Sequence, residues 1–190
     1  GYGATYIPSK NRLKVPQLVA LKATAETKLN DVISKNTLYN NKVNERMIAF
    51  GNLKSLSTRL VNALQTTDAT DETIDDAKGF NRKMQGKKAS STQTPTDPNA
   101  PAPTTISTSQ QSYDQLIQHF SGLKSVLEAE PTYTPNETEL QVATLNAKIA
   151  DLNTKNTAVA TAYTNISNSR IARNETLYTS EDCIYETAGE

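Results

Sequence analysis

The 190-residue chain carries 20 Lys plus Arg against 20 Asp plus Glu, so its formal charge is zero. No global basic field is available to hold nucleic acid or an anionic membrane. Hydrophobic residues make up 36% and aromatics 6%, with no Trp, which suits thin helical bundles better than a compact globule. The lone Cys183 excludes an intrachain disulfide framework, and no apolar run approaches the roughly 18 residues of a membrane span. The compartment stays open, with the cytoplasm slightly preferred. A start at Gly1 rather than Met leaves room for a removed leader.

In chain order, residues 1–8 read as an extended lead-in. From Leu18 an apolar stripe runs through Leu21, Ala25, Leu29, Val32, Asn36, Tyr39 and Val43 at three-four spacing. Pro16 fits the first turn of a helix. The spacing therefore predicts a helix over about 16–50. The stripe then drifts through Met47 and Phe50 to Leu53, Leu56, Leu60 and Leu64. Gly51-Asn52 falls at the drift, where Gly weakens a helix interior by about 1 kcal/mol relative to Ala, so a break is expected before a helix near 52–66.

Thr66 to Thr70 is a polar turn. Asp71 to Gln85 opens with acids and closes with Arg82 and Lys83, the signs the helix dipole favours. Ile74, Ala77, Phe80 (or Asn81) and Met84 give this short helix its apolar face, and Gly86 ends it. Residues 89–108 hold four prolines and many Ser and Thr. That composition cannot build a core and is expected to be a disordered linker. A helix follows over about 110–129, opened by Ser112-Tyr113-Asp114. Its apolar face is Tyr113, Leu116, Ile117, Phe120, Leu123, Val126 and Leu127. Pro131 and Pro135 bracket a turn. Asn136 with Glu139 reads as an N-cap pair for a last long helix over about 137–178. Its stripe is Val142, Leu145, Ile149, Leu152, Asn156, Val159, Tyr163, Ile166, Arg170, Arg173 and Leu177. The acidic tail over 180–190 is expected to fray.

Two stretches repeat. Ala23–Thr37, ATAETKLNDVISKNT, is echoed by Ala143–Thr157, ATLNAKIADLNTKNT, at an offset of 120. Pro8, Leu13 and Val15 are echoed by Pro135, Leu140 and Val142 at an offset of 127. The offsets differ by one heptad, so the apolar face is preserved across the insertion. Tyr6-Ile7-Pro8 and Tyr133-Thr134-Pro135 give each helix entrance a packing tyrosine. The expected fold is an all-α, elongated single helical domain over 1–190 with an internal duplication. Unit one spans about 6–86 and unit two about 109–179. Two long helices should pair antiparallel in a coiled-coil-like manner about a pseudo-twofold axis, with three shorter helices at one end.

The polar and charged constellations each have a plainer explanation than chemistry. Asp68, Asp71, Glu72, Asp75 and Asp76 lack the spacing of a calcium loop and fit a dipole-complementing first turn. Arg82, Lys83, Lys87 and Lys88 read as a solvated helix end. His119 is the only histidine, and Cys183 has no basic neighbour to activate it. No phosphate loop, Cys pair or HExxH motif is present. Asn36 and Asn156 sit at equivalent places in the stripe, where a buried Asn fixes helix register. With Tyr39 and Tyr163 they are the candidate polar core positions; no catalytic, cofactor or metal residue is assigned.

Several segments together resemble a family of uncharacterised bacterial all-helical proteins with two long helices and an internal duplication. They are Tyr6-Ile7-Pro8, Ala49-Phe50 with Leu53-Lys54-Ser55-Leu56, Thr70-Asp71-Glu72 with Asp76-Ala77-Lys78 and Asn81-Arg82-Lys83, and Pro131-Thr132-Tyr133 with Pro135-Asn136-Glu137. The likeness covers most of residues 6–178 and implies no activity, ligand or catalytic residue. The tail after Tyr178 departs from it. The function expected is a non-enzymatic structural or protein-interaction module without a cofactor, bound to an unknown protein or to itself. Alternatives are a ligand-binding or enzymatic site in the bundle core and, by fold analogy, a membrane-interacting helical protein of the toxin type.

Overall fold

The computed structural model describes residues 6–86 and 110–190, and the linker expected over 89–108 lies outside them, as do Lys87 and Lys88. The fold is all-α, with no strand among the described residues. Helix α1 runs Val15–Phe50, α2 Leu53–Leu64, α3 Asp71–Gln85, α4 Tyr113–Ala129, α5 Val142–Asn174 and α6 Ile184–Gly189. Short 3₁₀ turns at Asn11–Leu13 and Thr138–Leu140 precede α1 and α5, and a π turn at Glu175–Thr179 follows α5.

The local causes are legible. Pro16 sits in the first turn of α1, where its missing N–H is not needed. Gly51 and Asn52 form the turn that separates α1 from α2. The Thr70 hydroxyl accepts from the Thr73 amide at 3.3 Å and opens α3. Gly86, at φ 77°, closes it in the left-handed conformation that a side chain would strain. The Ser112 hydroxyl accepts from the Gln115 amide at 3.3 Å and opens α4.

The chain divides into two compact units, residues 46–156 and residues 1–45 with 157–190. The 46–156 unit holds a conventional core. Leu53, Leu56, Leu60 and Leu64 of α2, Ala77 and Met84 of α3, and Ile117, Phe120, Leu123 and Leu127 of α4 are all buried. Leu145 and Leu152 of α5 and Tyr133 complete the layer. Each large side chain so buried contributes about 1.5–3 kcal/mol.

The unit of residues 1–45 and 157–190 is built differently. Tyr39 of α1 meets Tyr163 of α5 with ring centroids 5.9 Å apart, and Arg12 reaches Asp182. The two chain segments are therefore antiparallel. The buried residues are few and mostly small: Ala25, Val159, Ala162, Ile166, Ser169, Cys183 and Thr187.

Three expectations are corrected. The Asn136–Glu139 cap does not form, because Glu139 pairs with Arg59 and residues 138–140 take a 3₁₀ turn; α5 begins only at Val142. Tyr163 and Arg170 are not buried: they are exposed, and Ala162 and Ser169 are buried instead. Leu145, Leu152, Val159 and Ile166 keep a seven-residue rhythm; Ile149 and Asn156, four residues after the first two, are half-buried, whereas Ala162 and Ser169, three after the last two, are buried. The smaller neighbour wins because it admits a closer approach.

The third correction concerns the acidic tail, which folds. The Cys183 sulfur accepts from the Glu186 amide at 3.4 Å and opens α6. Glu190 receives Lys10 at 2.6 Å and the Arg12 guanidinium, whose Nη1 also reaches the Glu181 carbonyl at 3.0 Å. Hydrogen bonds from Arg12, then Lys10, push the Glu190 carboxyl from 4.5 down to about 2. A depressed carboxylate contributes above its ordinary range and stops contributing as pH falls from about 4.5 towards about 2. Exposed pairs are weak, so the expected result is local undocking of α6 and not global unfolding. Amide exchange over 184–189, corrected for intrinsic rate, should accelerate across that window. Arg12→Ala should accelerate it at neutral pH and speed alkylation of the buried Cys183. Unchanged exchange and alkylation would mean that the ion pairs do not hold the helix.

Candidate functional site

Several polar groups of the 46–156 unit are committed to one another. Arg46 Nη1 donates to Asn156 Oδ1 at 3.0 Å, and Asn156 Nδ2 donates to Asp114 Oδ1 at 2.7 Å. The same guanidinium lies 4.0 Å from the Tyr113 ring centroid, and Tyr113 stacks edge-on against Phe50. Asn156 thus braces α1 and α4 against α5 in this unit, which is a structural task. Ser57, fully buried, donates to Asn81 Oδ1 at 2.8 Å.

A groove of about 740 Å³ runs past Arg59, Asp68, Tyr133 and Glu137. Arg59 closes on Glu137 and Glu139, each at 2.6 Å, which raises its already high pKa. Burial, and next the Glu137 charge, push the Tyr133 hydroxyl up to about 12, and its proton is donated to the Leu140 carbonyl at 2.9 Å. The groove therefore offers a neutral phenol and an ion-paired guanidinium. His119 is buried on α4; burial, then Lys83, lowers its pKa, so it is held as the neutral imidazole. Its Nε2 has no hydrogen-bond partner among the described residues. No cluster of three or more His, Cys, Asp or Glu able to hold a metal occurs among the described residues, and the acidic run 68–76 makes none.

Of the four candidate polar core positions, Asn36, Tyr39 and Tyr163 belong to the unit of residues 1–45 and 157–190, and Asn156 to the other. Asn36 and Tyr39 are half-buried; Tyr163 is 58% exposed and is no core position. The tyrosines form an aromatic contact across α1 and α5.

What sets the unit of residues 1–45 and 157–190 apart is its surface. Among the described residues, the exposed large hydrophobic side chains all belong to it except Met47 and Ile48. On α1 they are Val15, Val19, Leu29, Ile33 and Leu38. The spacing puts Leu29 in the buried stripe and Val15 in the repeat, and marks none of the others. Val15 and Leu29 are fourteen residues apart, as are Val19 and Ile33, so two heptads place each pair in line. That second rhythm was the signal available. It lies beside the half-buried stripe of Leu18, Leu21, Val32 and Tyr39 on the same helix. A cleft of about 490 Å³ in this unit, lined largely by Pro8, Leu13, Leu18, Leu21 and Ile184, adds to the apolar area.

No helix among the described residues is long and apolar enough to cross a membrane. Comparison with known protein families, with curated proteins and with solved structures finds no match to the chain.

Proposed function

We propose that the chain is a non-enzymatic structural or protein-interaction module, and that the unit of residues 1–45 and 157–190 is where a protein partner docks. The observation that carries this reading is the concentration of exposed Val, Leu, Ile and Tyr side chains on that unit. Scattered exposed apolar residues need no explanation, but a periodic row on one helix has the pattern of an interaction surface. Two antiparallel helices bury only one seam between them, so a further helical surface would gain by covering the rest. The balanced net charge and the committed polar groups of the 46–156 unit favour this over nucleic-acid binding or catalysis.

Internal duplication belongs to the same proposal, and so does membership of the helical family that the sequence resembles. The Tyr6 hydroxyl donates to the Leu13 carbonyl at 2.7 Å, and the Tyr133 hydroxyl donates to the Leu140 carbonyl at 2.9 Å. Both bonds span seven residues, both close on a 3₁₀ turn, and both precede a long helix. Two entrances built alike support descent of both long helices from one coiled-coil-like unit.

A photo-reactive residue in place of Ile33, carried by the full chain in its native cells, tests the reading. Covalent adducts with protein at Ile33, absent when the probe replaces the buried Leu60, are the expected result. A probe at Ile33 that yields no protein adduct would sink the proposal.

A further inference from the structure

Leu38 apart, the exposed apolar positions on α1 in this unit are spaced alike in both directions. Val15 is 56% exposed, Val19 60%, Leu29 42% and Ile33 64%. Between them Lys22 and Glu26 form an exposed ion pair at 3.5 Å. These six residues occupy the heptad columns 15-22-29 and 19-26-33, so they share one face of the helix. Their numbers also pair about position 24: 15 with 33, 19 with 29, and 22 with 26. The apolar pairs are symmetric about that point, and the one charged pair is of opposite sign.

We propose that this face binds the same face of a second copy of the chain, the two α1 helices lying antiparallel about a two-fold axis at the level of residue 24. This rests on the interaction reading above and names its partner. An isologous contact requires that residue i meet residue j while j meets i, which is the property of a self-complementary row. In this pairing Val15 packs against Ile33 of the second copy and Val19 against its Leu29. Lys22 faces the second copy's Glu26, and Glu26 faces its Lys22. The two intrachain ion pairs then merge into a ring of four alternating charges in the middle of the contact. A parallel pairing in register sets Lys22 beside Lys22 and Glu26 beside Glu26, and the like charges repel.

The contact spans residues 15–33, about 28 Å of helix. Four apolar side chains and one charged pair from each copy make an interface at the small end of the specific range, so the expected dissociation constant is about 1–100 μM. Leucine, valine and isoleucine at the paired positions suit the close interhelical spacing of about 8–10 Å.

Sedimentation equilibrium of the full chain across that range is the test. Wild type should pass from monomer to dimer. Lys22→Glu and Glu26→Lys should each raise the dissociation constant about 10-fold or more, since each places like charges together at the centre. The double variant K22E/E26K should return to within about 3-fold of wild type, because the two changes are coupled. Circular dichroism should show all three as helical as wild type. The register is checked separately. Under mild oxidation the V19C/L29C double variant should form interchain disulfides, whereas V19C alone should not, its two copies lying about 15 Å apart along the axis. A mass that stays monomeric throughout overturns the proposal. So does a double charge swap that fails to restore pairing, or V19C alone cross-linking as well as the double variant. Photo-adducts at Ile33 with another protein only would overturn self-pairing and leave the interaction reading standing; no adduct at all would overturn both.

Discussion

Phe120→Ala is expected to cost about 3–5 kcal/mol of stability. Phe120 lies in the middle of α4 with none of its surface exposed. Its neighbours on the same face, Ile117, Leu123 and Leu127, are buried with it, and α2 and α3 bring Leu60, Leu64, Ala77 and Met84 to the same core. Alanine removes an entire ring from a layer whose remaining parts are rigid helices. They cannot collapse into the void, so a cavity term adds to the lost transfer free energy. Thermal melts followed by circular dichroism should show the midpoint fall by about 10–20 °C, given the size of a domain of this length. Phe120→Leu keeps most of the volume and should lose less than half as much. A loss below about 1 kcal/mol for the alanine variant would show that α4 does not organise this core.

The elements in that core were legible in the sequence because local and tertiary signals agree there. The apolar positions of α2 recur at three-four spacing, and Leu53, Leu56, Leu60 and Leu64 are all buried. Asp71 and Gln85 bound α3 in the structure as in the sequence, since a threonine cap, a dipole-matched charge order and a left-handed glycine all mark the same helix. The break at Gly51 follows the drift of the stripe for the same reason.

Legibility fails where the decision is made by tertiary contact. Tyr163 carries the apolar pattern of α5, yet Ala162 is buried in its place. Periodicity ranks a tyrosine above an alanine; close helix packing ranks them the other way. The tail looked frayed because its acids have no local cation. Lys10 and Arg12, which hold Glu190, lie some 180 residues away in sequence. Val19 and Ile33 lie outside the single apolar stripe that three-four spacing assigns to a helix, and a second stripe is visible only once the first is satisfied. The symmetry of Val15, Val19, Leu29 and Ile33 about position 24 is a property of the sequence, but exposure is what gives it meaning.

Gly122→Ala is the other large effect, and its sign runs against helix propensity. Gly122 lies inside α4, where exchanging glycine for alanine ordinarily stabilises a helix by about 1 kcal/mol. Here the added methyl group would sit 2.3 Å from Cε1 and 2.6 Å from Cζ of Phe80, whose ring lies over the glycine. Atoms at that separation overlap, so the ring must move outward and α3 must give with it. Phe80 is only half-buried, which lets it swing and caps the cost. The steric penalty is about 2–4 kcal/mol and outweighs the propensity gain, leaving a net loss of about 1–3 kcal/mol. The explanation is confined to one contact, and a double-mutant cycle isolates it. Phe80→Ala removes the obstacle at its own cost in burial. In that background Gly122→Ala is relieved of this clash and should become stabilising by up to about 1 kcal/mol. Urea unfolding of the four proteins measures the coupling directly. A substitution that destabilises equally with and without the Phe80 ring would place the constraint in the backbone of α4. One that stabilises in both would mean that the ring does not rest on Gly122 in solution.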